Sequence, residues 1–192
     1  VPITPMPPQG GITFVTNKSG AMSITLSLCT ASTQVQVGGD VTINWGDGTA
    51  IATYTIAATD TTVCNKAASY TTTDQKLVTI TCVTTTHSIL SFYEYSQNII
   101  SIDGRNCNKL TSLTMDADSR LKVILGFAGV LYARFYYCDA LATLPNWKNL
   151  LTFYGYRCFS LASIPNWPNV VDVNCGECYA LTSLPNWPNV ET

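Results

Sequence analysis

Two spacings of apolar residues divide the chain. Between residues 11 and 86, apolar and polar residues alternate in short runs rich in Thr, Val and Ile, and turn residues separate the runs. This alternation predicts short β-strands, and several of them in succession predict a small β-sandwich. From residue 89 the spacing changes, and after residue 130 the sequence repeats every 20 residues. A fixed period of about 20 to 29 residues predicts a solenoid, so the whole chain is expected to be mainly β.

Three copies of the repeat align without gaps. Each copy has Cys, then Leu three positions later, then Leu or Ile after three more, and then Pro-Asn-Trp; the cysteines are Cys138, Cys158 and Cys178. Cys107 is followed by Leu at the same spacing, and Asp118 is expected to take the same position in a degenerate coil. We therefore expect five or six coils, with all four cysteines in one stacked column and the Trp residues stacked to close the coils.

The expected organisation has three parts. Residues 1–10 contain four prolines and predict an extended arm, because Pro fixes φ and lacks a backbone donor. Residues 11–86 form the sandwich, and residues 87–192 form the solenoid, whose last coil is incomplete. The expected strands of the sandwich are residues 11–16, 22–28, 35–37, 41–45, 51–56 and 77–83.

Composition narrows the classes of partner. Charged residues make up only 11% of the chain, with 10 basic and 12 acidic residues. Such a balance gives no basic stripe for nucleic acid and no polybasic patch for anionic lipid. No apolar run reaches the roughly 18 residues of a membrane-spanning helix, and the first eight residues lack the features of a signal peptide. We therefore expect neither nucleic-acid binding nor a membrane span.

Residues with the chemistry of catalysis are sparse. No nucleophile signature surrounds His87, the single histidine, and no spacing sets the pair of facing carboxylates that a glycosidase needs. We therefore expect no enzyme activity, no catalytic residue and no cofactor. Cys175 and Cys178 form half of a zinc motif without its remaining ligands, so no metal site is expected. The stacked cysteines are expected to be buried thiols, and the sequence leaves open one disulfide among Cys29, Cys64 and Cys82.

Tyrosines recur on one face of the predicted solenoid sheet. If Phe153 points inward, alternation along the strand turns Tyr154 and Tyr156 outward. The same phase turns outward Ser91, Tyr93 and Tyr95, then Ser101, Asp103 and Arg105, and later Tyr132, Arg134 and Tyr136. Tyrosine offers a large rigid contact area at low entropic cost, although it also simply suits strands. The candidate binding residues are Tyr93, Tyr95, Tyr132, Arg134, Tyr136, Tyr154 and Tyr156.

Two motifs resemble those of known families. The run from Val41 through Trp45-Gly-Asp47-Gly-Thr49 resembles the signature of PKD-like immunoglobulin-type domains, and Tyr70 with the strand after it matches the later part of their pattern. Asp47 is then either a Ca²⁺ ligand or the holder of its own turn. The Cys-x-x-Leu-x-x-Leu/Ile-Pro repeats resemble those of BspA-like bacterial surface proteins. The order of the two motifs is similar to that in surface proteins of Bacteroidetes or of their phages.

The resemblance implies an Ig-like sandwich followed by a leucine-rich-repeat solenoid, and a role in adhesion or recognition. Solenoids present long surfaces to partners. We therefore expect a non-enzymatic binding protein, extracellular or on a bacterial cell surface, which recognises a protein or glycan through its Tyr-rich face. The alternative is a structural part of a larger assembly, such as a virion decoration or fibre protein. Such a protein would self-assemble through the Pro-rich arm and an uncapped C-terminal coil.

Overall fold

The computed structural model describes residues 6–30, 35–66 and 70–190. Within these residues the chain is mainly β, with fourteen strands and no helix. The strands are β1 (Ile12–Thr16), β2 (Ser23–Thr30), β3 (Gln36–Val37), β4 (Gly39–Asn44), β5 (Ala52–Ile56), β6 (Thr62–Asn65), β7 (Lys76–Cys82), β8 (His87–Tyr95), β9 (Ile99–Gly104), β10 (Ser112–Asp116), β11 (Val123–Gly126), β12 (Tyr132–Arg134), β13 (Thr152–Tyr154) and β14 (Asp172–Asn174).

The strands form two sheets around one apolar core. Sheet 1 has the order β11-β9-β1-β7-β4-β5, and sheet 2 has the order β14-β13-β12-β10-β8-β2-β3, with β6 also paired to β2. Phe14 of β1 meets Phe92 of β8 between the sheets, with ring centroids 6.0 Å apart in an edge-to-face arrangement. The buried apolar residues of both sheets belong to a single cluster. The described chain therefore has one continuous core.

Alternation explains the strands of the first part. In β7, Val78, Ile80 and Cys82 are buried, whereas Thr79 and Thr81 between them are partly exposed. This is the pattern of a sheet with one face on the core and the other towards solvent. All six expected strands are present with slightly shifted bounds. The short strand β6 was not predicted, because four residues are too few for alternation to be recognised.

Strands β8 and β9 join the first part to the repeats. β8 pairs antiparallel with β2 on one side and parallel with β10 on the other. β9 does the same in sheet 1, between β1 and β11. Both sheets therefore continue without a break past the expected boundary between residues 86 and 87. Here antiparallel pairing gives way to the parallel pairing of a β-solenoid-like arrangement.

Each coil passes from sheet 2 to sheet 1 and back. In sheet 2 the coils pair in register, which aligns Ser91, Ser112, Tyr132, Thr152 and Asp172 in one row. In sheet 1 only β9 and β11 are strands, and the later coils return through segments without strand structure. β8 and β9 are thus the two sides of one coil. The expectation that residues 89–92 and 99–102 begin successive repeats is therefore wrong, because ten residues span only half a coil.

Two columns of side chains line the turns of the coils. At the turn that follows sheet 2, the residues at 20-residue spacing are Asp118, Cys138, Cys158 and Cys178, and each carbonyl accepts a hydrogen bond from the Leu N–H three residues later. This confirms the position expected for Asp118. At the opposite turn the corresponding residues are Cys107, Phe127, Trp147, Trp167 and Trp187. The expectation for Cys107 is thus wrong: it begins the Trp column, because both turns share the same local spacing to Leu.

Ring stacking closes the coils, as expected for the Trp column. The indole of Trp167 lies between those of Trp147 and Trp187, at centroid distances of 6.2 and 6.3 Å and interplanar angles of 18° and 6°. The indole N–H groups of Trp147 and Trp167 donate to backbone carbonyls of the preceding coil at 3.0 and 3.1 Å. Each buried ring is therefore held by a neighbouring coil as well as by its own.

Polar ladders also bind coil to coil. The thiols of Cys138, Cys158 and Cys178 donate to carbonyls of the preceding coil at 3.2, 2.9 and 2.8 Å. On the other side, side-chain amides donate in the same way at 2.8 to 3.2 Å; they belong to Asn149, Asn169 and Asn189. These bonds satisfy carbonyls that would otherwise be buried or half-buried without a donor. The ladder cysteines are buried, as expected.

The Pro-rich segment packs on the body as far as it is described. Asn106 donates its side-chain amide to the Pro7 carbonyl at 2.6 Å, and its own carbonyl accepts from Gly10 N at 3.0 Å. The Gly10 carbonyl in turn accepts from Ile89 N at 3.1 Å. Residues 7–10 of the expected arm therefore belong to the folded body. Residues 1–5 of the arm, and residues 191 and 192 of the expected last coil, lie outside the described residues.

We predict that Trp167→Ala lowers the free energy of unfolding by about 3 to 5 kcal/mol, the usual cost of removing a large buried aromatic side chain. Trp187→Ala is the matched control, because Trp187 is 9% exposed and has one stacking neighbour in the column, and it should cost less. Urea unfolding at equilibrium measures both. An equal or larger loss for Trp187→Ala would contradict the stacking account.

Candidate functional site

The outer face of sheet 2 is a grid of side chains in three rows. The first row is the one that contains Ser91 and Tyr132. The second row consists of Tyr93, Thr114, Arg134, Tyr154 and Asn174. The third row begins with Tyr95 and Asp116 and continues with Tyr136 and Tyr156, just beyond the short strands. Parallel pairing spaces neighbours in a row by about 4.8 Å.

All seven candidate binding residues lie on this face, which we call the tyrosine face. Tyr93 and Tyr95 are 40% and 61% exposed. The other five are partly exposed, because their rings and the Arg134 guanidinium pack on one another. One coil, that of β10, separates the two groups and contributes Thr114 and Asp116 instead of an aromatic ring.

The expected continuation through Ser101, Asp103 and Arg105 is wrong. These residues belong to or follow β9, which lies in sheet 1, and the coil next to β8 in sheet 2 is that of β10. Asp103 is fully buried and forms an ion pair with Arg105 at 2.6 Å. The cause is again the half-coil offset, which carries a residue ten positions away to the opposite side.

Aromatic contacts fix the rings of the tyrosine face. Tyr132 meets Tyr154 edge to face at a centroid distance of 5.8 Å, and Tyr156 meets Tyr136 and Tyr137 at 6.1 and 5.9 Å. The guanidinium of Arg134 lies 5.2 Å from the centre of the Tyr136 ring. Edge-to-face and cation–π contacts of this kind favour one orientation of each ring. The face is therefore ordered before any ligand arrives.

Each carboxylate of the face has a partner one coil away. Asp116 accepts from Arg134 through both of its oxygens and from the backbone N–H of Tyr136. Glu177 accepts from Arg157 at 2.7 Å and from the Tyr156 hydroxyl. The sequence analysis did not single out Asp116, Arg157 or Glu177. The signal for them is an acid and an arginine about 20 residues apart, which parallel stacking brings together.

Hydrogen bonding determines the ionisation of this face. The hydroxyl of Tyr154 donates to Asp172 at 2.5 Å, which raises the pKa of Tyr154, and the bond to Glu177 raises the pKa of Tyr156. Hydrogen bonds from Tyr156 and Arg157 lower the pKa of the Glu177 carboxyl. At neutral pH the face therefore presents un-ionised hydroxyls and aromatic edges beside carboxylate–arginine pairs.

The Trp45-Gly-Asp47-Gly-Thr49 run forms a tight turn after β4. Asp47 Oδ1 accepts from the backbone N–H and the hydroxyl of Thr49 at 3.2 and 2.7 Å, and Oδ2 pairs with Lys66 at 2.6 Å. Burial disfavours ionisation of Asp47, but the hydrogen bonds from Lys66 and Thr49 outweigh it and lower the pKa to about 2. Asp47 thus holds its own turn, which was one of the two interpretations of this residue.

Tyr70 ties this turn to the core. Its hydroxyl donates to the Trp45 carbonyl at 2.7 Å. The ammonium groups of Lys66 and Lys76 lie 5.0 and 4.8 Å from the centre of its ring. The motif residues from Trp45 to Tyr70 therefore form one structural cluster, in which each polar group serves another.

The remaining candidate residues have structural contacts. His87 shares a hydrogen bond with the Thr84 hydroxyl at the start of β8. Burial raises the pKa of the Cys64 and Cys82 thiols to about 12. The cysteines whose pairing was left open are free and buried: Cys29, Cys64 and Cys82.

A buried pair of carboxyl groups was not predicted. Glu94 of β8 and Asp118 of the turn after β10 are 1% and 0% exposed and interact with each other. The two residues are 24 positions apart, so no local motif joins them. The available signal was the occurrence of Asp in a column otherwise made of buried cysteines.

Comparison with protein-family models, with characterised proteins and with solved structures finds no match to this chain. Among the residues that the structure describes, no helix has the length and apolar character to cross a membrane.

We predict that Asp47→Asn lowers the free energy of unfolding by about 3 kcal/mol, because it leaves the buried Lys66 ammonium without its counter-ion. The pKa of Asp47 is lower in the folded state than in the unfolded chain. The stabilisation that Asp47 provides is thus present above about pH 4 and is lost as pH falls towards 2. Urea unfolding at neutral and acidic pH measures both effects. The exposed Asp74→Asn is the control, and a similar loss in both variants would contradict the role of the ion pair.

Proposed function

We propose that this chain is a non-enzymatic binding protein that recognises a protein or glycan through the tyrosine face. The observation that carries this proposal is the clustering of six tyrosines and Arg134 on one side of a single sheet. Aromatic and arginine side chains dominate the energetics of many protein interfaces. They do so because each adds a large contact area while losing few rotatable bonds.

The rigidity of the face supports the proposal. Its rings contact each other edge to face, and its carboxylates are held by arginines or hydroxyls of neighbouring coils. A preformed surface loses little conformational entropy on association, so more of the contact energy remains as affinity. The two most exposed rings, those of Tyr93 and Tyr95, are the first to meet a ligand.

The proposed architecture is a PKD-like, Ig-type sandwich continued by a leucine-rich-repeat solenoid of the BspA-like kind. The cluster around Trp45, Asp47 and Tyr70 supports the first part, because the motif residues contact one another. The stacked Cys, Asn and Trp columns support the second part. Proteins with this order of modules suggest a place outside the cell, at the surface of a Bacteroidetes bacterium, or on a virion.

A second candidate function is a structural role in a larger assembly such as a virion. The observation in its favour lies on the coil of residues 172–190. Leu184 of that coil is 56% exposed, whereas the equivalent Leu144 and Ile164 of earlier coils are 8% and 6% exposed. Apolar side chains that other coils bury are thus available there to a further polypeptide, from another subunit or another protein.

We predict that the pairs Tyr93→Ala/Tyr95→Ala and Tyr132→Ala/Tyr154→Ala each weaken ligand binding by about 30-fold or more, the effect of losing about 2 kcal/mol at a hot spot. The probes are an array of purified bacterial and host glycans and a panel of extracellular-matrix proteins, and binding is measured on immobilised protein. Melting temperatures verify that each variant is folded.

Tyr179→Ala is the matched control for this experiment. Tyr179 is 75% exposed but follows the Cys178 turn and stacks on Phe159 rather than lying on the tyrosine face. It should bind like the wild-type protein. A probe that binds both folded double variants as tightly as the wild-type protein would show that the tyrosine face is not its site. Self-association that is blocked by Leu184→Asp would favour the structural candidate instead.

A further inference from the structure

Two carboxyl groups lie buried where the first coil meets the second. Glu94 Oε2 accepts from Gln97 N at 3.3 Å, and Asp118 Oδ1 accepts from Ile99 N at 3.2 Å. The other oxygens, Glu94 Oε1 and Asp118 Oδ2, are buried without a hydrogen-bond donor. Two adjacent carboxylates in such a place would suffer both desolvation and mutual repulsion. The pair must therefore be neutralised in some way.

The register of the coils shows how Asp118 differs from its equivalents. In later coils the ladder cysteine donates its S–H to a carbonyl 23 residues earlier, as Cys138 does to Met115. The carbonyl at that distance from Asp118 belongs to Tyr95, and it accepts instead from the side-chain amide of Gln97. Gln97 has thus taken over the bond that a thiol makes elsewhere. The second oxygen of Asp118 is left to interact with Glu94.

We propose that Glu94 and Asp118 share one proton and form a pH-sensitive latch between the first two coils. The latch joins the turn of residues 95–98 to the turn of residues 116–118. When the proton resides on Glu94 Oε1, that oxygen donates to Asp118 Oδ2, and both buried oxygens gain a partner. When solvent base removes the proton, two carboxylates remain in the same buried place, and the turns separate to admit water.

The charged groups around the pair do not replace the proton. Those that face it are Asp116, Lys18, Cys138 and, through Asp116, Arg134. Lys18 donates its ammonium to the Ser96 carbonyl at 2.6 Å, and Arg134 is engaged by Asp116. Asp116 and Cys138 add negative charge or none. Within the described residues, the ion pairs leave both unpartnered oxygens untouched.

The pair makes the folded protein more stable at acidic pH. Burial and the neighbouring Asp118 raise the pKa of Glu94 well above its usual value, and burial also raises the pKa of Asp118. A group whose pKa is raised by folding contributes its full stabilisation below its unfolded pKa and loses it as pH rises through the folded pKa. Stability should therefore decline from weakly acidic towards alkaline pH as the shared proton leaves.

A bound cation is the competing way to neutralise two carboxylates. Calcium ions take six to eight oxygen ligands, usually with several carboxylates. Among the described residues, no group of three or more His, Cys, Asp and Glu side chains is arranged to hold a metal ion. This favours the proton over a cation.

The variant Glu94→Gln tests the latch, because its amide replaces the shared proton by a permanent donor to Asp118. We expect the melting temperature of the wild-type protein to fall between about pH 5 and pH 9, where few other side chains titrate. In Glu94→Gln most of this fall should disappear. The exposed Asp60→Asn, which removes one negative charge elsewhere, should keep it. Asp118→Asn is the second variant if Glu94→Gln does not fold.

Amide hydrogen exchange locates the opening. The N–H groups of Ser96, Gln97, Ile99 and Ala117 donate across or within the two turns. In the wild-type protein their protection should fall about tenfold for each pH unit above the folded pKa of the pair, and it should remain in Glu94→Gln. The infrared band of an un-ionised carboxyl group should be present at neutral pH in the wild-type protein and absent from Glu94→Gln.

Two results would overturn the proposal. The first is a wild-type protein without the un-ionised carboxyl band, whose melting temperature changes with pH no more than that of Glu94→Gln. The second is a melting temperature that rises with calcium chloride and falls with EDTA in the wild-type protein but not in Glu94→Gln. The latter result would assign the pair to a cation.

Discussion

Stacking of each coil on the next is the interaction on which the rest of the structure depends. Parallel pairing in sheet 2 places every side chain against its equivalent 20 or 21 residues away. A residue type can occupy such a column only if it tolerates its own kind as a neighbour. Indoles stack, and thiols and side-chain amides donate to the preceding coil. Equal charges would repel, so on the tyrosine face arginines alternate with acids.

The same constraint explains how the repeats begin. A parallel stack needs a first strand whose outer edge is already satisfied, and β8 and β9 supply one in each sheet by pairing antiparallel with β2 and β1. The antiparallel part thus caps the solenoid at one end, which solenoids generally require. The tyrosine face extends over this joint, since Tyr93 lies opposite Thr25 of β2 on one side and Thr114 on the other.

The sequence predicted the mainly β fold, the 20-residue period, the position of Asp118 and the side on which the seven candidate residues lie. These depend on alternation and on period, which are local properties. It failed where the structure needs the path of a whole coil. Cys107 and the outward phase at Asp103 were misplaced because both turns of a coil share the same spacing to Leu. The ion pairs of Arg134 and Arg157 and the contact of Glu94 with Asp118 join different coils, so no short motif contains them.

The central claim is that the antiparallel part and the repeats form one body with one core. Native-state hydrogen exchange of the whole chain, followed by mass spectrometry at increasing urea concentration, tests it most directly. We expect peptides from β7 and from β12 to lose protection in the same transition with the same midpoint, because both depend on the joint at β8 and β9. Two separate transitions, with β12 exchanging fully while β7 remains protected, would contradict the claim.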